Sequence, residues 1–497
     1  MSSSNAPPDR DSDQAPLIVW FRQDLRLSDN PALSDAVARG VPLLPLFILD
    51  DDGPGAWRIA GAGRWWLHRS LDALAGQLAA LGSRLILRRG PADAVLRDMV
   101  AETGAAGVVW NRLYEPWAVA RDRTIKRELT AAELEAQSFK GAVLFEPWEI
   151  LTKGKQPFRV FTPFWRACLA AATPPQAPLR RPPRWASPTQ WPRSDSLASW
   201  GLLPKQPNWA SGFEEAWRPG EAGARARLDA FLTGALAQYE SGRDRPDQDG
   251  SSRLSPHLHW GEISPRQVWH RVQAAMAEGR VPGRAGEAFL RELGWREFSI
   301  QLLYHQPELP TQPLQAAFRQ FPWQQDAAVL RAWQRGRTGY PIVDAGMRQL
   351  WAMGWMHNRV RMIVGSFLVK HLLQPWQVGE AWFWDTLVDA DLANNSASWQ
   401  WIAGCGADAA PYFRVFNPIT QGEKFDPDGT YVRRWVPELA RLPASVIHRP
   451  WEATPLERET AGVALGDTYP APIVDHREGR ERALAAWRTL RSSDEEI

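Results

Sequence analysis

The stretch LIVWF at residues 17–21 opens a series of five short apolar runs that are separated by longer segments of helical periodicity. The other four runs are LLPLFIL (43–49), RLILR (84–88), GVVW (107–110) and AVLF (142–145). Strands that alternate with helical segments are typical of βαβ units around a parallel sheet. We therefore predict an α/β domain with a parallel sheet over residues 16–150.

Single residues place the first helix of this domain. Asn30-Pro31 offers an N-cap followed by proline at the first helical position, and Gly40 comes just past the end, so a helix is predicted at 31–39. The runs are not followed by a P-loop or a complete GxGxxG, since Gly61-Ala62-Gly63 lacks the third glycine. The sheet domain therefore carries no phosphate-binding fingerprint of its own.

The pattern changes beyond the sheet domain. Residues 173–209 are a dense scatter of Pro, Trp and Ser with little periodicity, which is typical of a long connection. From about residue 220 helical periodicity dominates, with Ser255-Pro256 and Ser264-Pro265 as predicted helix starts. The predicted divisions are a disordered tail at 1–15, the α/β domain at 16–150, a linker at 151–219, an all-α domain at 220–480 and a C-terminal tail at 481–497.

The composition excludes several classes of protein. A chain of 497 residues, 44% of them hydrophobic and 23% charged, is long enough for two or three buried cores, and its apolar runs are too short to span a bilayer. Cys168 and Cys405 are too few for a disulfide framework or a four-cysteine cluster, and no metal site is indicated. The first sixteen residues are polar and lack the apolar region of a signal peptide, so a cytoplasmic protein is expected.

Charge and tryptophan are unevenly distributed. The 58 basic and 56 acidic residues nearly cancel, but residues 225–370 hold 19 basic and 13 acidic side chains. A modest basic face on the C-terminal half is therefore predicted. There are 28 Trp against 7 Tyr, and most of these indoles are expected to be buried bulk.

Two polar clusters of the helical half have ordinary explanations beside functional ones. In RELGWREF, Glu292, Trp295 and Arg296 fall at i, i+3 and i+4 and share one helix face, for which a surface salt bridge covered by an indole is the commoner explanation. In DGSSRLSP, the hydroxyls of Ser251–Ser255 crowd before a helix, which suits an anion site and a capped loop equally.

A third cluster lies in GWMHNRVRM. Asn358, Arg361 and Met362 share one face of an otherwise apolar helix, and Arg359 is adjacent. A buried arginine is costly unless an anion pairs with it. We therefore predict a carboxylate partner elsewhere in the chain.

The fourth cluster, DADLANNSASWQW, supplies such carboxylates. Asp391, Asn395 and Trp399 fall at i, i+4 and i+8 on one helical face, and Asp389 precedes them. Aspartates before a helix are most often caps. This stripe would also suit a polar planar ligand such as a ribose or an isoalloxazine ring.

Together these strings resemble the cryptochrome/photolyase family. The resemblance implies an N-terminal Rossmann-like antenna domain, a long linker and an all-α C-terminal domain that binds FAD. The forms DADLANN and WNRLYEPW resemble most the bacterial branch related to plant cryptochromes. The matching strings are, in order, WFRQDLRLSDNPAL (20–33), VFTPF (160–164), SSRLSP (251–256), TGYPIVDAGMRQL (338–350), GWMHNRVRM (354–362), DADLANN (389–395) and DAAPYFRVFNPITQGEKFD (408–426).

The resemblance implies a set of cofactor residues. Arg361 would pair with Asp389 beside the flavin, and Asn395 would face flavin N5, where plant-type cryptochromes tend to carry Asp and animal ones Cys. An asparagine here favours repair over signalling. The implied FAD-binding residues are Tyr239, Ser251, Ser252, Arg253, Leu254, Ser255, Arg296, Asn358, Arg361, Asp389, Ala390, Asp391 and Asn395.

The resemblance also implies a substrate. Photolyases of (6-4) photoproducts carry a histidine pair where this chain has His357-Asn358, and a further His where it has Met362, so the match is to enzymes for cyclobutane pyrimidine dimers. Such a deoxyribodipyrimidine photo-lyase is a carbon–carbon lyase in which reduced FAD gives an electron to a dimer flipped out of DNA. The residues implied to contact the dimer or its DNA are Arg243, Glu292, Trp295, Asn358, Arg359, Met362 and Trp401.

Trp399, Trp376 and Trp323 match the family's chain of tryptophans, which would carry electrons from the surface to an oxidised flavin. With Glu292 and Asn395 they complete the implied catalytic set.

The stretch WNRLYEPWAVARD (110–122) resembles the antenna region of folate-using members, so Glu115 is the candidate to contact a pterin. The antenna favoured is 5,10-methenyltetrahydrofolate, with deazaflavin and flavin left open. The expected partner is UV-damaged DNA, with no membrane, no obligate protein partner and a monomeric state. Two alternatives are a blue-light receptor that binds FAD without repair, and a helical DNA-binding module without cofactor, which would leave the stripe of the fourth cluster unexplained.

Overall fold

The computed structural model describes residues 14–409 and 413–495, with side chains up to residue 492. The N-terminal part is a five-stranded sheet with the strand order β3-β2-β1-β4-β5, and every neighbouring pair is parallel. This confirms the predicted parallel α/β domain. Its elements are β1 (Leu17–Phe21), α1 (Pro31–Ala38), β2 (Leu43–Leu49), α2 (Gly61–Ala79), β3 (Ile86–Arg89), α3 (Ala92–Thr103), β4 (Gly107–Asn111), α4 (Pro116–Ala131) and β5 (Glu135–Phe139).

The predicted first helix is confirmed. The Asn30 side chain accepts a hydrogen bond from the backbone N–H of Leu33 at 3.1 Å, and Pro31 is the first helical residue. Gly40 follows with φ +74°, a left-handed conformation that favours glycine after a helix. Strand β3 begins at Ile86, two residues later than predicted.

The predicted fifth strand at 142–145 is wrong. β5 is formed instead by Glu135–Phe139, an edge strand that carries no continuous apolar run. Leu144 and Phe145 are buried in a loop, where their backbone N–H groups both donate to the carboxylate of Glu297, at 2.8 and 3.1 Å. The apolar run therefore indicated correctly that this segment is buried, but the segment is a loop and not a strand.

The second part is helical, as predicted. A five-residue π-helical segment, Phe367–His371, continues α14. None of the helices in the described part of the chain is both long and apolar enough to cross a membrane. The helices are α5 (Phe161–Leu169), α6 (Ser211–Ala216), α7 (Glu221–Thr233), α8 (Tyr239–Gly242), α9 (Ser255–His259), α10 (Pro265–Ala277), α11 (Gly283–His305), α12 (Ala327–Gln334), α13 (Pro341–Met353), α14 (Asn358–Ser366), α15 (Trp376–Thr386), α16 (Leu392–Ala403), α17 (Pro418–Phe425), α18 (Thr430–Trp435), α19 (Pro455–Ala461) and α20 (His476–Glu495).

Both predicted helix starts are correct, but only one of the two serines caps its helix. Ser264 caps α10 in a capping box, with Gln267 at the third helical position. Ser255 is not a cap: it is the first residue of α9, and its hydroxyl accepts a hydrogen bond from the Trp355 indole at 3.4 Å.

The chain ends differ from the predicted tails. Helix α20 covers the described part of the predicted tail at 481–497, because Ala483 and Leu490 lie on one helical face and are buried in the core of the helical domain. The predicted tail at 1–15 lies, apart from residues 14 and 15, outside the described residues.

The predicted linker at 151–219 contains helices α5 and α6, so the irregular connection is shorter than predicted, and it joins the two parts together with a buried ion pair. Residues 170–210, all of them described, contain only one 3-10 turn, and Leu43 of β2 donates its N–H to Ala186 in this connection at 2.9 Å. Asp29, just before α1, is fully buried and pairs with Arg266 of α10 at 2.6 Å. The sheet domain is therefore fixed against the helical domain.

Candidate functional site

The loop at residues 251–254, just before α9, is called the serine-rich loop below. It is fixed by a residue that the sequence analysis did not single out. Arg227 of α7 donates to the backbone carbonyls of Ser252 and Ser251 at 2.7 and 2.9 Å, and it pairs with Asp249 at 2.9 Å. These contacts occupy the carbonyls of the loop. Its serine side chains are therefore positioned by an interaction far away in sequence.

Two further features shape this loop. Arg253 has φ +49°, and its guanidinium lies 5.2 Å from the ring centre of Trp355. Gly250 approaches Gly242 so closely that a Cβ atom would lie 2.4 Å from the Gly242 carbonyl oxygen. The close approach brings the loop against α8, where the predicted cofactor residue Tyr239 is buried.

The predicted pair between Arg361 and an aspartate is present. An Nη2 atom of Arg361 lies 2.8 Å from Asp389 Oδ2 and 3.1 Å from Oδ1, and its Nε donates to the Met356 carbonyl at 2.8 Å. The Asp389 side chain is only 2% exposed. The guanidinium therefore neutralises a carboxylate that is almost out of solvent.

Asp391 caps α16, as predicted, and holds a negative charge. Its Oδ1 accepts a hydrogen bond from the Asn394 N–H at 2.9 Å, and its Oδ2 lies 3.6 Å from His259 Nδ1. Burial opposes ionisation of Asp391, but the neighbouring His259 imidazole and the Arg296 guanidinium hold its pKa well below the usual range.

Asn395 lies one turn further along α16 and is 8% exposed. Its amide nitrogen donates to the Glu380 carbonyl of α15 at 3.0 Å, and the Ser396 hydroxyl donates to the Glu380 carboxyl. Glu380, which the sequence analysis missed, thus fixes Asn395 and its neighbour from the next helix. Burial raises the pKa of this carboxyl to about 8, so it is largely protonated at neutral pH.

Glu380 is expected to make stability fall as pH rises. Its pKa is about 8 in the folded protein against an ordinary 4.5, so between these pH values the folded state binds a proton that the unfolded chain has released. The free energy of unfolding then falls by about 1.4 kcal/mol per pH unit in that window. Glu380→Gln keeps the acceptor for Ser396 and cannot titrate. Urea unfolding from pH 5 to 8 should show that the free energy of unfolding of the variant increases relative to that of the parent protein as pH rises. The same pH dependence in both proteins would contradict this assignment.

The predicted substrate residues are only partly brought together. Arg243 Nη1 lies 2.7 Å from Glu292 Oε1, and both side chains are 29% exposed. Trp295, one turn along α11, stacks on Phe161 with ring centres 3.8 Å apart and planes at 8°. A half-exposed carboxylate and a flat indole therefore share one face of the helix.

The other residues of this set have separate partners. Arg359 pairs with Asp244 at 2.8 Å and lies 4.5 Å from the Phe425 ring centre. Arg296, which was predicted as an FAD-binding residue and lies on the same helix as Glu292, donates to the Ala142 carbonyl at 2.8 Å. Three more are exposed or half-buried at the surface: Asn358, Met362 and Trp401.

The three predicted electron-transfer tryptophans belong to one apolar core. Trp376 and Trp399 are 1% and 3% exposed, and Trp323 is half-buried against the same cluster. Gly379 of α15 allows the approach, since a Cβ atom there would lie 2.2 Å from the Trp399 ring. The ring of Trp399 also lies 6.3 Å from that of Trp333 on α12.

The polar cluster fits FAD. Serine hydroxyls and Arg253 suit a pyrophosphate, while Asn395 and the Arg361–Asp389 pair suit the polar edge of a flavin ring. His357 Nε2 is buried without a hydrogen-bond partner among the described residues, and burial lowers the pKa of this imidazole to about 4. An orphaned polar atom of this kind is expected beside a site that a ligand completes.

A cleft lies between the two domains on the side of Glu115. Its walls include the indoles of Trp57 and Trp117, together with Arg121 from the sheet domain and Ala390 from the helical domain. Burial, and next the charge of Asp391, raise the pKa of the Glu115 carboxyl. The enclosed part of the cleft is about 80 Å³.

A parallel α/β domain fixed to a helical domain with a buried site for FAD defines a two-domain flavoprotein. The model of the DNA photolyase family matches residues 17–183, and that of the FAD binding domain of DNA photolyase matches residues 289–489. The chain belongs to the cryptochrome/photolyase family.

Three relatives give the extent of the similarity. The deoxyribodipyrimidine photo-lyase of Agrobacterium fabrum is 52% identical over 96% of this chain and 99% of its own length. Cryptochrome-1 of Arabidopsis thaliana is 41% identical over 94% of this chain and 69% of its own. The crystal structure of a bacterial class III photolyase from Agrobacterium tumefaciens superposes with a TM-score of 0.93 at 51% identity, covering 99% of this chain and all of that one.

Proposed function

We propose that this protein repairs cyclobutane pyrimidine dimers in DNA by light-driven electron transfer. The observation that carries the proposal is the half-exposed Glu292 carboxylate, which Arg243 holds at 2.7 Å one helical turn from Trp295. A carboxylic group and a flat indole side by side can hydrogen-bond the polar edge of a dimer and pack against its rings. When bound, reduced FAD supplies the electron that opens the cyclobutane ring.

The chain's own residues have distinct parts in this proposal. The serine-rich loop and Arg253 hold the phosphates of FAD, and Tyr239 packs beside the same phosphates. The Arg361–Asp389 pair lies against the flavin. Asn395 offers a neutral amide at the reacting edge, which can hydrogen-bond a reduced ring without adding a second negative charge.

The lesion reaches this site by leaving the duplex. Extrusion costs a few kcal/mol, and less for a damaged pair than for an intact one, because the dimer already pairs and stacks poorly. Arg243 and Arg359 supply cations for the phosphates around it, within the half of the chain that has the basic excess. Binding by a monomer with several phosphate contacts is expected to weaken steeply with salt.

The test is a repair assay on a thymine-dimer oligonucleotide with photoreduced protein, under blue light and in the dark. Light-dependent recovery of thymines is expected. Glu292→Gln should lower the repair rate about tenfold, since one charge-assisted hydrogen bond is worth about 1.5–3 kcal/mol. Glu287→Gln, an exposed carboxylate one turn earlier on the same helix, should repair at the parent rate.

Three outcomes of this assay are informative. Equal repair by both variants would remove the role of Glu292. Bound FAD that photoreduces without any repair would overturn the proposal and favour a blue-light receptor. A purified protein that contains no flavin would favour a DNA-binding module.

We propose further that the interdomain cleft binds an antenna folate, 5,10-methenyltetrahydrofolate. The Glu115 carboxyl suits the N–H groups of a pterin, and the neighbouring indoles suit its ring. The enclosed 80 Å³ has room for a ring, so the rest of the folate would lie in the open part of the cleft.

Mass spectrometry of the pigment released from the purified protein tests this proposal. A reduced folate is expected in the parent protein, and Glu115→Ala should lose most of it while retaining FAD. Release of a deazaflavin or a second flavin would contradict the proposal, as would full folate retention by the variant.

A further inference from the structure

A second cavity lies apart from the residues assigned to FAD. It has a volume of about 400 Å³ and is bounded by the π-helical segment after α14, by α16 and by α20. Three of its lining side chains are basic, namely Lys370, Arg414 and Arg491, and none of the described lining residues is acidic. Of the predicted site residues only Trp401 is among them. The cavity is therefore a separate, positively charged space that borders the proposed substrate face.

Lys370 is the unusual residue of this cavity. It is 4% exposed, and its ammonium donates to the Arg414 carbonyl at 2.6 Å and lies 4.2 Å from the ring centre of Phe413. It forms no ion pair with a described residue. An ammonium has three protons to donate, and a buried cation without a carboxylate is costly. Burial accordingly lowers the pKa of Lys370 to about 7.

Several of the other lining side chains are flat and aromatic. Phe413 and Trp487 lie with ring centres 6.0 Å apart and planes at 14°, and Trp401 is half-buried, with its N–H bonded to the Asp408 carbonyl at 3.0 Å. Arg414 and Arg491 are exposed, so the buried Lys370 forms the floor and the two arginines form the rim. Planar walls with cations at both depths suit a ligand that is aromatic and anionic.

We propose that this cavity binds a nucleotide, with its phosphate on Lys370 and Arg414 and its base against the aromatic walls. A volume of about 400 Å³ lies within the range of about 300–1,000 Å³ that is usual for small-molecule sites. Bases stack on aromatic side chains regardless of sequence, and phosphate is the anion that Lys and Arg bind most readily. The nucleotide is either free or one residue of a DNA strand, and the same chemistry serves both.

Calorimetric titration in the dark with thymidine 5′-monophosphate tests the free nucleotide, using FAD-loaded protein. Lys370→Met removes the ammonium and keeps an unbranched side chain one atom shorter, and Arg414→Gln removes a charge at the exposed rim. Each should weaken binding about tenfold, as expected for the loss of one charge-assisted contact. Arg319→Gln, an exposed arginine beside the cavity but outside its lining, should bind like the parent. Thymidine without phosphate should bind weakly to all four proteins.

Undamaged oligothymidylate tests whether the bound nucleotide is one residue of a DNA strand. If the monophosphate does not bind, but oligothymidylate binds about tenfold more weakly to Lys370→Met and Arg414→Gln than to the parent protein, the nucleotide is part of a strand. If neither ligand distinguishes the cavity variants from the parent and from Arg319→Gln, the proposal is overturned. Far-ultraviolet circular dichroism and FAD content report folding, and if Lys370→Met does not fold, Arg414→Gln decides. None of these arms requires repair, so the outcome is independent of the proposed function.

Discussion

Arg361→Met is expected to release bound FAD and to destabilise the protein by about 3–5 kcal/mol, the usual cost of leaving one member of a buried ion pair alone. The carboxylate that remains, Asp389, is 2% exposed and keeps both oxygens toward the lost guanidinium. FAD absorbance after gel filtration measures retention, and urea unfolding measures stability.

The matched control for this experiment is Arg348→Met. Arg348 has the same 24% exposure as Arg361 and pairs with Glu438 at 2.7 Å, but that partner is itself 24% exposed. Water can solvate Glu438 when the arginine is lost, so the control should be destabilised by about 1 kcal/mol and should retain FAD.

A double variant separates the two effects at Arg361. Asp389→Asn added to Arg361→Met removes the unpaired charge, so it should recover much of the stability. It should not recover FAD, if the pair lies against the flavin. Full retention of FAD by either protein would contradict the place given to this pair.

A carboxylate partner for Arg361 was predictable because a buried guanidinium requires an anion and the chain has two aspartates just before α16, and the family resemblance implied that the partner is Asp389. The α1 cap at Asn30 and the Asp391 cap were predictable for a similar reason, since each depends on residues within three positions of one another. The parallel sheet followed from the apolar runs. Local patterns and strong electrostatic requirements are thus visible in the sequence.

The residues that sequence reasoning missed act across long separations. Arg227 reaches the serine-rich loop from 24 and 25 positions away, and Glu380 reaches Ser396 across 16. Neither stands in a recognisable motif. Apolarity also misled at 142–145, because it reports burial and does not distinguish a strand from a loop that Glu297 fixes.

Trp376→Phe is expected to slow photoreduction of oxidised FAD by about a hundredfold or more while leaving the repair rate of chemically reduced protein unchanged. Phenylalanine fills nearly the same buried space, but it is much harder to oxidise than an indole. Trp376 is 1% exposed in the core that also contains Trp399, so it is suited to pass an electron from the half-buried Trp323 to the interior.

Trp333→Phe is the control that tests the path itself. Trp333 is fully buried, and its ring lies 6.3 Å from that of Trp399, so it is the same kind of neighbour in the same core. If electrons follow the proposed chain, this variant photoreduces at the parent rate. If Trp333→Phe is the slower of the two, the electron enters through α12, and the assignment of Trp376 and Trp323 is wrong. Flash absorption of the flavin, followed in both variants under the same light, decides between the two paths.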